Sequence, residues 1–169
     1  MKKDVILIGM PGCGKTTLGE RLAKELDIPF LDLDQAVEES AGITVSDIFA
    51  REGEAGFRGR ETEAFSQNVG RGQVIATGGG IVTQEENYPI AKQGLVVFLD
   101  RPVTSIMEDI HTETRPLLQE GKDRLLRLHK ERVSLYRKWA DIIVCNQGNM
   151  EDVLKTIINE VKTYENYGN

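Results

Sequence analysis

The sequence predicts an α/β domain wound on both faces of a parallel sheet. Three observations carry that prediction. Short β-branched apolar runs alternate with helix-period segments along the 169 residues, the pattern of βα units rather than of a bundle or a sandwich. Most of these runs are near-continuous, as strands are when helices cover both sheet faces. The first run passes through a tight glycine-rich turn straight into a helix. No internal repeat, low-complexity tract or linker divides the chain, so residues 1–169 are read as one domain.

The elements follow in order. Val5-Ile6-Leu7-Ile8 marks a strand over 4–9, and Leu18, Leu22 and Leu26 share one face of a helix over 15–26. A second strand, 29–33, closes on Asp32-Leu33-Asp34. Helices over 34–41 and 44–51 end near Gly42 and Gly53, and a third over 56–69 carries Phe57 and Phe65 on its buried side. Strand 73–77 runs into Gly78-Gly79-Gly80, and helix 84–92 stops at Gly94. Strand 95–99 precedes Pro102, which suits the first turn of a helix over 103–110. Residues 111–121 interrupt the periodicity; polar and proline-containing between helices, they form the lid candidate. A helix over 122–138, a strand over 141–145 and a helix over 150–164 complete the series, leaving a polar tail at 164–169 expected to fray.

Composition narrows the function. Acidic and basic residues are interspersed and the net charge is −6, which disfavours nucleic acid or a membrane surface as a nonspecific partner. An anionic substrate would need local arginines. Cys13 and Cys145 are the two cysteines and lack metal-ligand spacing. A reducing cytoplasm fits that usage, and the N-terminal apolar run is too short for a signal or a membrane span. Monomer is the default expectation.

Gly9-Met10-Pro11-Gly12-Cys13-Gly14-Lys15-Thr16 matches the G-x-x-x-x-G-K-[ST] phosphate-binding loop, placed between strand and helix as the motif requires. Lys15 can reach the β- and γ-phosphates of a nucleotide, and the Thr16 hydroxyl can ligate Mg²⁺. Cys13 could be an activated thiol, but reads more simply as a small residue that fits a tight loop. Strand alternation puts Asp32 and Asp34 on one face at the carboxyl edge of the sheet, where one could orient Mg²⁺ through water and the other accept a hydroxyl proton. Asp34 could also simply cap the following helix. Arg58 and Glu61, three apart on a helix, belong either to a site or to a solvated charged face. Gly78-Gly79-Gly80 suggests amides facing a ligand. Asp100 is a second candidate for a magnesium aspartate, although Arg101-Pro102 behind it favour a place near a helix N-terminus. Arg115 in the lid candidate could swing onto a transferring phosphate. Beyond it lie Arg132, Tyr136, Arg137 and Trp139, and Arg137 suits bidentate carboxylate recognition. His111 and His129 lack partners at catalytic or metal spacing.

Together these motifs resemble the shikimate kinases, small phosphate-loop enzymes similar to nucleoside-monophosphate kinases. The likeness spans nearly the whole chain. Its most specific parts are Glu52-Gly53-Glu54-Ala55-Gly56-Phe57-Arg58-Gly59-Arg60-Glu61, the triple glycine, Arg115-Pro116-Leu117-Leu118 and Arg132-Val133-Ser134-Leu135-Tyr136-Arg137. The resemblance implies a three-layer fold on a five-stranded parallel sheet in the order 2-3-1-4-5, with a lid near 111–121 and a substrate-binding helical region near 34–61. It implies transfer of the ATP γ-phosphoryl group to the shikimate 3-hydroxyl, with Mg²⁺ as cofactor. Gly12, Cys13, Gly14, Lys15, Thr16, Thr17 and Arg115 would bind nucleotide, and Thr16 and Asp32 would hold the metal. Asp34 would be the base, with Lys15 and Arg115 neutralising phosphate charge. Arg58 and Arg137 would clamp the carboxylate, Glu61 would support them, and Gly79 and Gly80 would offer amides. The match departs from the family at Glu108–Thr114, which lacks the arginine that many members pack on adenine; the adenine contacts are left unassigned. The rival readings are another small-metabolite or nucleotide kinase, a nucleotide-dependent switch, and a nucleotide-binding module without catalysis.

Overall fold

A computed structural model describes residues 2–113 and 119–167, with side chains at 110–113 and 119 left out of account. The strands are β1 (Val5–Ile8), β2 (Phe30–Asp32), β3 (Val74–Ala76), β4 (Leu95–Asp100) and β5 (Ile142–Cys145). All pairings are parallel, and the sheet order is β2-β3-β1-β4-β5. This is the order expected above. β1, β3 and most of β4 are buried on both faces, which is why they read as unbroken apolar runs. β5 lies at an edge, and its side chains alternate between buried and exposed, leaving Ile143 53% exposed.

The helices are α1 (Lys15–Leu26), α2 (Leu33–Ala41), α3 (Val45–Asn68), α4 (Asn87–Ala91), α5 (Val103–Glu113), α6 (Gln119–Trp139) and α7 (Met150–Tyr167). α1 packs against α7 and the sheet, while α6 packs on β4 and on a short 3-10 turn at Ile81–Thr83. Leu18 and Leu22 on α1 are fully buried, as their spacing predicts. Each such leucine stabilises the fold by about 1.5–3 kcal/mol. One apolar cluster runs through sheet and helices, so the described residues share a single core.

Four expectations change and one boundary gains its physical cause. The second strand stops at Asp32, because the Asp32 side chain accepts from Gln35 N at 3.1 Å and starts α2 at Leu33. Asp32 and not Asp34 is therefore the cap. α3 comprises two helical stretches, as expected over 44–51 and 56–69, with Gly53 at φ 70° and ψ −174° breaking the helical backbone between them. Only glycine takes that conformation readily, so the residue ends the first stretch and redirects the chain into the second. Helix 84–92 is shorter than expected, with the 3-10 turn preceding α4. Residues 111–113 and 119–121 extend α5 and α6 into both margins of the lid candidate; Arg115, with 114–118, lies outside the described residues. α7 continues to Tyr167 where fraying was expected.

Candidate active site

The loop between β1 and α1 takes its shape from glycines. Gly9, Gly12 and Gly14 have φ of 150°, 77° and 98°. A Cβ on Gly9 would meet Leu99 O and Cys13 Sγ at 2.8 Å each, so no side chain fits there. Gly14 starts α1 without a side-chain cap. The first-turn amides therefore stay available to an anion. Lys15 is buried, its Nζ donating to Gly9 O at 2.8 Å and Met10 O at 3.0 Å. Cys13 is fully buried beneath the loop, 3.6 Å from that ammonium, in the packing role read from the sequence.

A cleft of about 810 Å³ opens at the carboxyl ends of the strands, where open α/β sheets bind ligands. Gly12, Gly14, Lys15, Thr16, Thr17, Asp32, Asp34, Gly78 and Gly79 all line it. Thr16 Oγ1 donates to Asp32 Oδ2 at 3.1 Å, while Asp32 Oδ1 holds the α2 amide. The strand-alternation argument for pairing Asp32 with Asp34 thus gave the right cleft for the wrong reason: Asp34 is already on the first turn of α2.

Asp34, Arg58, Glu61 and the triple glycine form one compact group. Arg58 Nη1 donates to Glu61 Oε1 at 2.9 Å, and Glu61 is fully buried. A Cβ on Gly78 would lie 2.8 Å from Glu61 Oε2 and 3.2 Å from Asp34 Oδ1. Neither of those oxygens has a hydrogen-bond partner among the described residues. A Cβ on Gly80 would strike Arg58 Nη2 at 2.2 Å. The glycines let the acid and base groups of α2 and α3 close on the backbone after β3. Burial pushes the Asp34 carboxyl above its usual range, and the neighbouring Asp32 charge adds to this, against the pull of Lys15 and Arg58. Burial raises Glu61 likewise, outweighing Arg58 and Arg132, which pull it down.

Side chains to which the sequence reading gave no role complete the site. Tyr136 OH donates to Gly79 O at 2.5 Å, and burial raises the phenol to about 12. Arg132, one turn earlier on the same face of α6, interacts with both Tyr136 and Glu61. Asn146 Nδ2 donates to Cys13 O at 2.6 Å, and Arg101 Nη1 to Gly12 O at 2.9 Å. Arg101 is 89 positions from Gly12, and no local pattern signals such a contact. Arg137, by contrast, is exposed on α6 and makes no hydrogen bond or ion pair to a described residue. Asp100 ends β4 outside the cleft lining.

An acid-bearing pocket beside a phosphate loop, on a parallel sheet of this order, defines a phosphate-loop phosphotransferase. The shikimate kinase family model matches residues 11–162. A shikimate kinase from Clostridium botulinum (strain Alaska E43 / Type E3) is 46% identical over 159 residues, covering 93% of this chain and 96% of that protein. The structure of an Acinetobacter baumannii shikimate kinase in complex with shikimate superposes with a TM-score of 0.86 at 36% identity, covering 96% of this chain and 94% of that one. A gluconokinase from Sinorhizobium meliloti 1021 shares the fold at a TM-score of 0.65 and 15% identity, over 95% of this chain and 92% of the other. The chain belongs to the shikimate kinase family.

Proposed function

We infer that this chain is an ATP-dependent shikimate kinase, forming ADP and 3-phosphoshikimate. The observation that carries the reading is the convergence of Asp34, Arg58 and Glu61 on Gly78–Gly80 beside the Lys15 loop. The acceptor carboxylate pairs with Arg58, whose other face Glu61 holds in place. Arg137 supplies a second guanidinium from α6, and the Gly79 and Gly80 backbone orients the ring. Asp34 takes the 3-hydroxyl proton as the new O–P bond forms and the bond to ADP breaks. Lys15, the amides of the loop and Arg115 from the lid offset charge on the phosphates.

Thr16 and Asp32 fit a magnesium ion. Both present hard oxygens 3.1 Å apart in the cleft, and magnesium takes one or two protein oxygens beside phosphate and water. When bound, the ion supplies charge neutralisation for the phosphate oxygens. The groups named form a site that needs no second copy, and a monomer is proposed. Both cysteines are free thiols, which suits a cytoplasmic setting. Among the described residues, no helix is long and apolar enough to cross a membrane.

A coupled ADP-release assay with a panel of acceptors tests the function. Shikimate-dependent turnover is expected, with gluconate and nucleoside monophosphates inactive. Turnover with those acceptors alone, or ADP release indifferent to acceptor, overturns the reading.

A further inference from the structure

In the turn after β3 the carbonyls are engaged and the amides are left over. Gly78 O accepts from Ile81 N at 3.2 Å, and Gly80 O accepts from Thr83 N at 3.0 Å and Thr83 Oγ1 at 2.7 Å. Ile81 O takes Asn87 Nδ2 at 3.0 Å. Gly79 O is met from 57 positions away, by the Tyr136 hydroxyl at 2.5 Å. Among the described residues, the Gly79 and Gly80 amides have no acceptor. Tyr136 is a firm anchor. Its ring is fully buried and stacks on Phe98 with centroids 5.1 Å apart. Arg132 also hydrogen-bonds its hydroxyl. Arginine has only donors, so the phenol oxygen accepts from Arg132 and its own proton is committed to Gly79 O. The Gly79–Gly80 peptide is trans, so its C=O and N–H point opposite ways in one plane. Gly79 lines the cleft and Tyr136 does not. Holding Gly79 O on Tyr136 therefore turns the Gly80 N–H away from the core and towards the cleft. The peptide has little room to rotate, since a Cβ on Gly79 would meet Pro11 Cδ at 2.6 Å and Gly80 lies against Arg58.

We propose that Tyr136 is a positioning residue for the acceptor: its hydroxyl, by holding Gly79 O, aims the Gly80 N–H at bound shikimate. This rests on the kinase reading above and deepens it, by naming what sets the direction of an amide which that reading uses. Tyr136→Phe tests it, because it removes the hydroxyl alone and keeps the ring against Phe98. In the coupled ADP-release assay, KM for shikimate is expected to rise about five- to tenfold, the worth of one hydrogen bond, with KM for ATP within about twofold of the parent. In the amide spectrum of isotope-labelled parent protein, the Gly80 resonance should move when shikimate is added. In the variant at saturating shikimate that movement should be lost. Equal rises in both KM values, or an unchanged KM for shikimate, would make the hydroxyl a brace of the core and overturn the proposal. So would a Gly80 resonance that still moves in full in the variant, since the hydroxyl would then act through Arg132 and not through the peptide. A parent protein without shikimate-dependent turnover removes the kinase reading itself, and the positioning role with it.

Discussion

The surroundings of Asp34 disfavour its charged form. One of its oxygens has no partner among the described residues, and burial with Asp32 nearby raises its pKa. A carboxylate so poised is a better proton acceptor than a solvated one. Asp34→Asn is expected to lower kcat by at least about 100-fold while ATP affinity, read by titration, stays near the parent value; an unchanged kcat removes Asp34 as the base. Arg58→Ala is expected to raise KM for shikimate about ten- to a hundredfold, the worth of one charge-assisted bond. A rise in the ATP KM alone would assign the carboxylate to another arginine. At this scale the sequence was informative where the chemistry is contiguous: motif and spacing bring Lys15, Thr16 and the aspartates to one cleft, although Asp34 reaches it from α2 and not from a strand edge. It assigned no role to Arg101, Asn146 or Arg132, whose links to Gly12, Cys13 and Glu61 span long stretches of chain and whose residue types also suit a solvated surface.

Among the elements, α3 has the most to explain. Its Gly53 has φ 70° and ψ −174°, and a Cβ there would meet nothing within 4 Å. The cost of a side chain is therefore backbone strain alone. Gly53→Ala should destabilise the protein by about 1–3 kcal/mol, read from the urea midpoint. Because Glu52 pairs with Arg60 across the bend and Arg58 lies just beyond it, KM for shikimate should rise as well. Equal stability in the variant would show that the bend is not held by the glycine. Period and composition did locate the break, since Gly53 was read as a boundary between two helices, but they do not give the direction in which the second one leaves. That depends on packing on both sides of the glycine. The start of α2 was misjudged for a related reason: alternation continues a strand on paper until a cap, here Asp32, is seen to end it.

For the molecule as a whole, two buried acids set a pH dependence. Asp34 and Glu61 both have folded pKa values above the ordinary carboxylate value. An acid shifted upward favours the folded state while protonated. Its contribution is therefore full below about pH 4 and is lost as pH rises towards the raised value. At neutral pH both groups oppose folding. Asp34→Asn should accordingly melt higher than the parent at pH 7, with the gain fading towards pH 4. A gain of the same size at both values would mean that charge is not the cause. The fold itself was the most legible level. Apolar runs buried on both faces leave few arrangements for a parallel sheet, and the Gly9–Thr16 turn marks its central strand. The lid candidate was least legible, because polar residues between helices carry no period to follow.

The Asp32 carboxylate works as a rivet between the two halves of the site. One oxygen engages the Thr16 hydroxyl on the nucleotide side, and the other fastens the backbone of the turn that carries Asp34. Ordering either half steadies the other, so the co-substrates should help one another in. ATP should tighten shikimate by the same factor by which shikimate tightens ATP, whichever arrives first.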